Sequence, residues 1–126
     1  MLLGNYFKNL NHRYKSFFFS GISFNTNDIK KNYIFFAIKG NSVDGNEFIP
    51  IAIKKGCKIV VTEKKSKQLQ NDVLFIQTKN IRKLLAEIAF KIYNKKPNNL
   101  IAITGTNGKS SVADFYYQIL ELNNKK

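Results

Sequence analysis

Residues 101–111, IAITGTNGKSS, carry the pattern from which the fold follows. Leu100 to Thr104 is apolar on both faces, as expected of a strand buried inside a parallel sheet. It runs directly into Gly105-Thr106-Asn107-Gly108-Lys109-Ser110. Apolar positions at Val112, Phe115, Tyr116, Ile119 and Leu120 then set one stripe of a helix predicted over Lys109 to Leu122. Strand, glycine loop, Lys-Ser and helix in this order form the context in which main-chain amides cradle a phosphate. Gly105 and Gly108 allow backbone conformations closed to other residues, and the helix N-terminus adds about half a positive charge at the same point. Lys109 is expected to reach the β- and γ-phosphates of a nucleotide, and the Ser110 hydroxyl to ligate Mg²⁺. The strict phosphate-loop pattern has glycine where this chain has Ile103. The alternative is a glycine-rich strand-to-helix turn with polar residues after it.

Upstream, strand and helix patterns alternate. Residues 2–10 predict a short amphipathic helix, Phe17 to Ser23 a strand, and Asn25-Thr26-Asn27-Asp28 a polar turn. Tyr33 to Ile38 is a continuous apolar run, again a strand covered on both faces. A loop from Gly40 to Asn46 leads to a helix over Glu47 to Lys55 that Gly56 closes from the C′ position. Lys58 to Thr62 and Val73 to Gln77 read as two further strands. Over residues 80–93, Ile81, Leu84, Leu85, Ile88, Ala89 and Ile92 form one helical stripe. The polar stretch Asn94 to Asn99, with one of the two prolines, marks a domain boundary. The fold class is therefore α/β. A small N-terminal domain with a largely parallel sheet occupies 1–96, and 97–126 is the first strand–P-loop–helix unit of a second domain. So few residues cannot hold a core of their own, so the chain is expected to be cut off soon after entering that domain.

Composition narrows the function. At 126 residues, with 44% hydrophobic and 23% charged, the chain is globular rather than a disordered tail. No apolar run approaches the ~20 residues that span a bilayer, and no signal-peptide pattern opens the chain. A single cysteine, Cys57, excludes an internal disulfide and fits a reducing cytosol. The net charge of +13 invites a nucleic-acid reading, yet only Arg13 and Arg82 among the 21 basic residues are arginines. The lysines are scattered in pairs such as Lys30-Lys31 and Lys64-Lys65, which suits a solvated surface better than a binding stripe. Cys57 reads as a small packing residue, and His12 has no partner visible in the sequence.

The loop TGTNGKSS, without the leading glycine, resembles the phosphate loop of the Mur ligase family, the ATP-dependent ligases that build the peptidoglycan stem peptide. Phe35-Phe36-Ala37-Ile38-Lys39-Gly40, Asp44-Gly45-Asn46-Glu47-Phe48-Ile49, Ala52, Gly56 and the strand Ile59-Val60-Val61 are similar to the N-terminal pattern of that family. Within the family, loop and N-terminal pattern together look most like the member that adds a diamino acid to UDP-MurNAc-L-Ala-D-Glu.

The resemblance implies that Gly105, Thr106, Asn107, Gly108, Lys109, Ser110 and Ser111 bind ATP, with Ser110 on Mg²⁺. It implies that Phe24, Thr26, Asn41, Ser42 and Val43 bind UDP-MurNAc. Asn25, Asn27 and Asn46 stand where the family commonly has Asp, Arg and His, and Lys30 or Lys31 is a candidate replacement for the missing arginine charge. Asp44-Gly45 is open between an ordinary tight turn and a substrate role. The implied chemistry is attack of a substrate carboxylate on the γ-phosphate, then displacement of phosphate by the incoming amine. No catalytic residue of that chemistry falls within these 126 residues, so the chain alone is expected to be inactive. Expected partners are the UDP-MurNAc-dipeptide and a diamino acid, with no nucleic acid and no membrane, for a cytoplasmic monomer. Three rivals stand beside it: the ligase that adds D-Ala-D-Ala, a non-catalytic nucleotide-sugar-binding module, and a small basic nucleic-acid-binding protein.

Overall fold

A computed structural model describes residues 1–70, 72–93 and 99–123. The chain divides into two compact units, Met1–Asn94 and Lys95–Lys126. The boundary expected near residue 96 lies outside the described residues.

In the first unit the sheet order is β1 (Gly21–Ser23), β2 (Tyr33–Phe36), β3 (Ile59–Thr62), β5 (Val73–Gln77) and β4 (Leu69–Gln70). The pairs β1–β2, β2–β3 and β3–β5 are parallel, and β4 lies antiparallel on β5. Side chains alternate between two separate cores, as the period of two requires. Ile34, Phe36, Ile59, Val61 and Leu74 face one side, where Leu3, Phe7, Leu10, Tyr14, Phe19 and Ile81 and Ile88 of α2 (Ile81–Ile92) cover them. Phe35, Ala37, Val60 and Val73 face the other, packed with Ile29, Cys57 and Ala52 of α1 (Ile49–Lys54). The unbroken apolar runs of β2 and β3 thus have the two-sided burial that their sequence called for.

Four local expectations are corrected. Residues 2–10 do not make an α-helix. Only a 3-10 turn, Leu3–Asn5, forms there. Gly4 and Asn5 are weak helix formers, and the segment bonds across instead, Leu3 N to Phe17 O and Gly4 N to Lys15 O, both at 2.9 Å. For the same reason the strand expected over Phe17 to Ser23 shrinks to Gly21–Ser23, because Phe18 bridges to Leu2. The helix expected over Glu47 to Lys55 is split into a 3-10 turn, Gly45–Phe48, and α1. Pro50 has no N–H to give to residue 46, so it is tolerated only in the first turn of a helix that starts at Ile49. Gly56, at φ 93°, closes α1 as expected, with its N–H on Ile53 O at 2.9 Å. The two-residue β4 was not foreseen in its lysine-rich surroundings.

The fourth correction concerns the second unit. Residues 100–104 do not form a strand, and Leu100 is 87% exposed. A strand apolar on both faces needs neighbours to bond, and none pairs with it among the described residues. The helix beyond it, α3 (Lys109–Leu122), has the expected bounds, but none of its residues is buried and its stripe of Val112, Phe115, Tyr116 and Ile119 lies exposed. Among the described residues no helix is long and apolar enough to cross a membrane.

A helix of this length without tertiary cover is marginal in water. In hydrogen exchange, α3 amides are expected to exchange orders of magnitude faster than those of β3; equally slow exchange in both would overturn this.

Candidate functional site

The first unit holds a cleft of about 470 Å³ beyond the carboxyl ends of β1 and β2, the end at which parallel α/β sheets bind ligands. Phe24 enters it directly after β1, Ile38 and Gly40 after β2, and Val43, Gly45 and Phe48 from the loop that leads to α1. Arg82, Leu85 and Ala86 close it from α2. Phe24 is 65% and Val43 50% exposed, so two large apolar side chains stand in water at the rim of a cavity.

The sequence-derived uridine residues separate here. Phe24 and Val43 line the cleft. Asn41 and Ser42 sit exposed in the same loop as Val43, and neither lines it. Thr26 opens the 3-10 turn Thr26–Asp28, away from the lining, and its carbonyl accepts from Lys55 Nζ at 2.7 Å. Lys55 thus brings an ammonium to this turn. Asn25 caps the turn by accepting from Asn27 N at 2.9 Å, a task that asparagine performs as well as aspartate. Ile38, Gly40, Gly45, Phe48, Arg82, Leu85 and Ala86 were missed as cleft residues. Ile38, Gly40, Gly45 and Phe48 did stand in the family-like pattern, without a binding role drawn from it, and Arg82 stood out only as an arginine in a lysine-dominated chain.

The cleft loop is pinned by a polar network. Asp44 accepts from Asn46 N at 2.9 Å and Asn46 Nδ2 at 2.6 Å, and Lys64 Nζ lies 2.9 Å from its other oxygen. Thr62 Oγ1, at the end of β3, donates to Asn46 Oδ1 at 2.7 Å and accepts from Lys64 N at 3.1 Å. Asn46 thus joins Asp44 to the sheet, and a neutral histidine carries the same pairing of one donor with one acceptor. Gly45 lies against the Ile38 backbone so closely that a Cβ would collide with Ile38 O and N. Asp44-Gly45 has a structural role in this loop.

Cys57 is buried, donates its thiol to Ile59 O at 3.0 Å, and burial pushes its pKa up, so it is an inert packing group.

The second unit carries the phosphate-loop residues. Gly105 has φ 151° and Gly108 φ 77°. Nothing lies within 4 Å of a Cβ built at Gly108, so backbone conformation alone reserves that position for glycine. Gly108 is the N-cap of α3 and, having no side chain, leaves the first-turn amides of Lys109, Ser110 and Ser111 without a side-chain cap. Lys109 Nζ donates to Gly105 O and, at 3.2 Å, to Thr106 O, which holds the ammonium over the loop. Uncapped amides, an ammonium and a hydroxyl are a donor set suited to a polyphosphate. For Mg²⁺ the fit is through one protein oxygen, Ser110, since the described residues contain no cluster of three or more His, Cys, Asp or Glu. Mg²⁺ commonly takes one or two protein ligands beside substrate phosphates.

Bonds from Lys64, then from Asn46, hold the Asp44 carboxyl well below its ordinary value of 3.8. A lowered folded-state value stabilises the fold above 3.8, and that contribution fades as pH falls toward the folded value. Lys64 is 62% exposed, so the pair is screened and its share is small. Asp44→Asn is expected to melt below the native chain at pH 7, with the gap narrowing at pH about 3. A gap in thermal melts that ignores pH would contradict this.

The profile of the Mur ligase family, catalytic domain, matches residues 19–93. The chain is 42% identical over 118 residues to the UDP-N-acetylmuramoyl-L-alanyl-D-glutamate–2,6-diaminopimelate ligase of Rickettsia prowazekii, covering 94% of this chain and 24% of that protein. It is 44% identical over 104 residues to the same-named ligase of Clostridium tetani, covering 79% of this chain and 21% of that one. The chain thus spans about a quarter of the length of these relatives. Among solved structures, the MurF ligase of Thermotoga maritima in complex with ADP superposes with a TM-score of 0.61 at 23% identity, over 79% of this chain and 23% of that one. The UDP-N-acetylmuramoylalanyl-D-glutamyl-2,6-diaminopimelate–D-alanyl-D-alanyl ligase of Acinetobacter baumannii gives 0.60 at 20%, over 82% and 23%. Similarity at that level of identity speaks for the fold. With a profile match over more than half its length, across the sheet and the cleft, the chain belongs to the Mur ligase family.

Proposed function

We propose that this chain forms the opening quarter of an ATP-dependent amide-bond-forming ligase that adds a diamino acid to UDP-MurNAc-L-Ala-D-Glu in peptidoglycan precursor synthesis. The observation that carries the reading is the 42% identity with diaminopimelate-adding ligases, over 94% of the chain. That span takes in both the cleft and the Gly105–Ser111 loop, and it favours 2,6-diaminopimelate as the diamino acid. It also favours this reading over the D-Ala-D-Ala-adding ligase, whose Acinetobacter structure is 20% identical to the chain.

In this reading residues 1–96 are the UDP-MurNAc-binding domain and 97–126 open the ATP-binding domain. The uridine end of the substrate enters the cleft against Phe24 and Val43, with Thr26, Asn41 and Ser42 at its margin. Gly105, Thr106, Asn107, Gly108, Lys109, Ser110 and Ser111 hold ATP, with Ser110 as a ligand of Mg²⁺, which neutralises phosphate charge when bound. The dipeptide carboxylate attacks the γ-phosphorus and releases ADP, giving an acyl phosphate. The incoming amine then attacks that carbonyl, and phosphate leaves as the amide forms. What these residues contribute is positioning and charge. The protein works as a monomer in the cytoplasm, where Cys57 stays reduced.

Calorimetry with UDP-MurNAc-L-Ala-D-Glu is expected to give saturable 1:1 binding to the 126-residue chain, with little loss between about 50 and 200 mM salt. Tighter binding of a random oligonucleotide that collapses over that range would overturn the reading in favour of a nucleic-acid protein. With ATP, the dipeptide precursor and diaminopimelate, the chain alone is expected to release no ADP, and sustained turnover would refute the need for further domains. In the complete ligase, Lys109→Ala is expected to cut turnover by about a hundredfold or more; undiminished turnover would remove Lys109 from the nucleotide site.

A further inference from the structure

We infer that Arg82 is the anion-binding group of the cleft and receives the diphosphate of a nucleoside diphosphate whose base lies against the apolar wall. The inference rests on the uridine-end reading proposed above. Around the cleft the walls are aromatic or aliphatic, with Phe24, Val43, Phe48 and Leu85 prominent, and among the described residues Arg82 is the one charged side chain that lines it. A ligand filling such a space presents a flat, weakly polar part to the walls and an anion to the guanidinium.

The guanidinium is held in place. Arg82 lies in the first turn of α2, and its Nη2 donates to the carbonyl of Lys39 at 3.0 Å, across to the loop that follows β2. Arginine carries five N–H donors in one rigid plane. A single bond to a carbonyl, which brings no charge, leaves donors for a second acceptor. Among the described residues no carboxylate pairs with Arg82. Two carboxylates of this region already have partners: Glu63 accepts from Ile81 N at 2.9 Å, and Asp44 holds Lys64. A cation beside apolar walls with no acidic partner is suited to an anion brought by the ligand. Phosphate oxygens match the planar fork of arginine in a way that the point charge of lysine does not. This fits the presence of an arginine here in a chain whose cations are otherwise almost all lysines.

The test is a titration of UDP and of uridine into the native chain, Arg82→Ala and Arg82→Lys. The native chain is expected to bind UDP at least about tenfold more tightly than uridine, as charge-assisted bonds to phosphate require. Arg82→Ala should lose at least about tenfold for UDP and leave uridine unchanged, with Arg82→Lys in between. Should Arg82→Ala fail to fold, Arg82→Gln makes the same comparison with a neutral donor. Equal losses for both ligands would overturn the inference and reduce Arg82 to a tie between loop and helix, leaving the uridine-end reading intact. A native chain that binds neither ligand would overturn that reading and this inference together.

Discussion

The central strands of the first unit have no face open to water, and the rest of the structure answers to that. Phe35 and Val60 point one way, Ile34, Phe36, Ile59 and Val61 the other, and all are buried. Two covers are therefore needed at once. One is α1 with the Ile29 segment. The other is α2 with the N-terminal residues, which pack Leu3, Phe7 and Leu10 onto the sheet although they form no helix longer than one turn. Burying such side chains contributes roughly 1.5–3 kcal/mol each, far more than helix propensity over the same residues could. That is why the N-terminal segment keeps its contacts while giving up the helix that its sequence suggested.

The cleft follows from the same arrangement. Parallel strands bring their carboxyl ends to one edge, where the chain must leave the sheet in loops. The loop after β2 cannot wander, because Asp44, Asn46 and Lys64 tie it to Thr62 at the end of β3. The polar network lies behind the loop and the apolar residues Val43 and Phe48 in front of it, at the cavity. Division of labour by side of the loop explains how a short segment rich in asparagine and glycine can present a defined surface.

Periodicity made the interior legible. The strands over Tyr33–Phe36, Ile59–Thr62 and Val73–Gln77 were legible as apolar runs, and the helix over Ile81–Ile92 from the spacing of its apolar residues. Such spacing also gave the bounds of Lys109–Leu122, although that helix buries none of them. Segments whose shape depends on distant partners could not. The first twenty residues follow hydrogen bonds to one another, and Pro50 moved a helix start by a veto on one donor. Residues 100–104 have a strand's sequence without a strand's neighbours. At the site, Phe24 and Val43 came from a motif. Arg82 came from neither motif nor period, because what brings it to the cleft is the packing of α2 across the sheet.

The borders of the sheet have a consequence of their own. At one side stands β1 with three residues, at the other β4 with two, preceded by Lys64, Lys65 and Lys67. An open row of amides and carbonyls is a template for recruiting another chain, and brevity together with cationic flanks is how natural sheets avoid it. The sheet of the first unit thus keeps its apolar strands sealed inside, between margins short and cationic enough to discourage a second chain from adding to it.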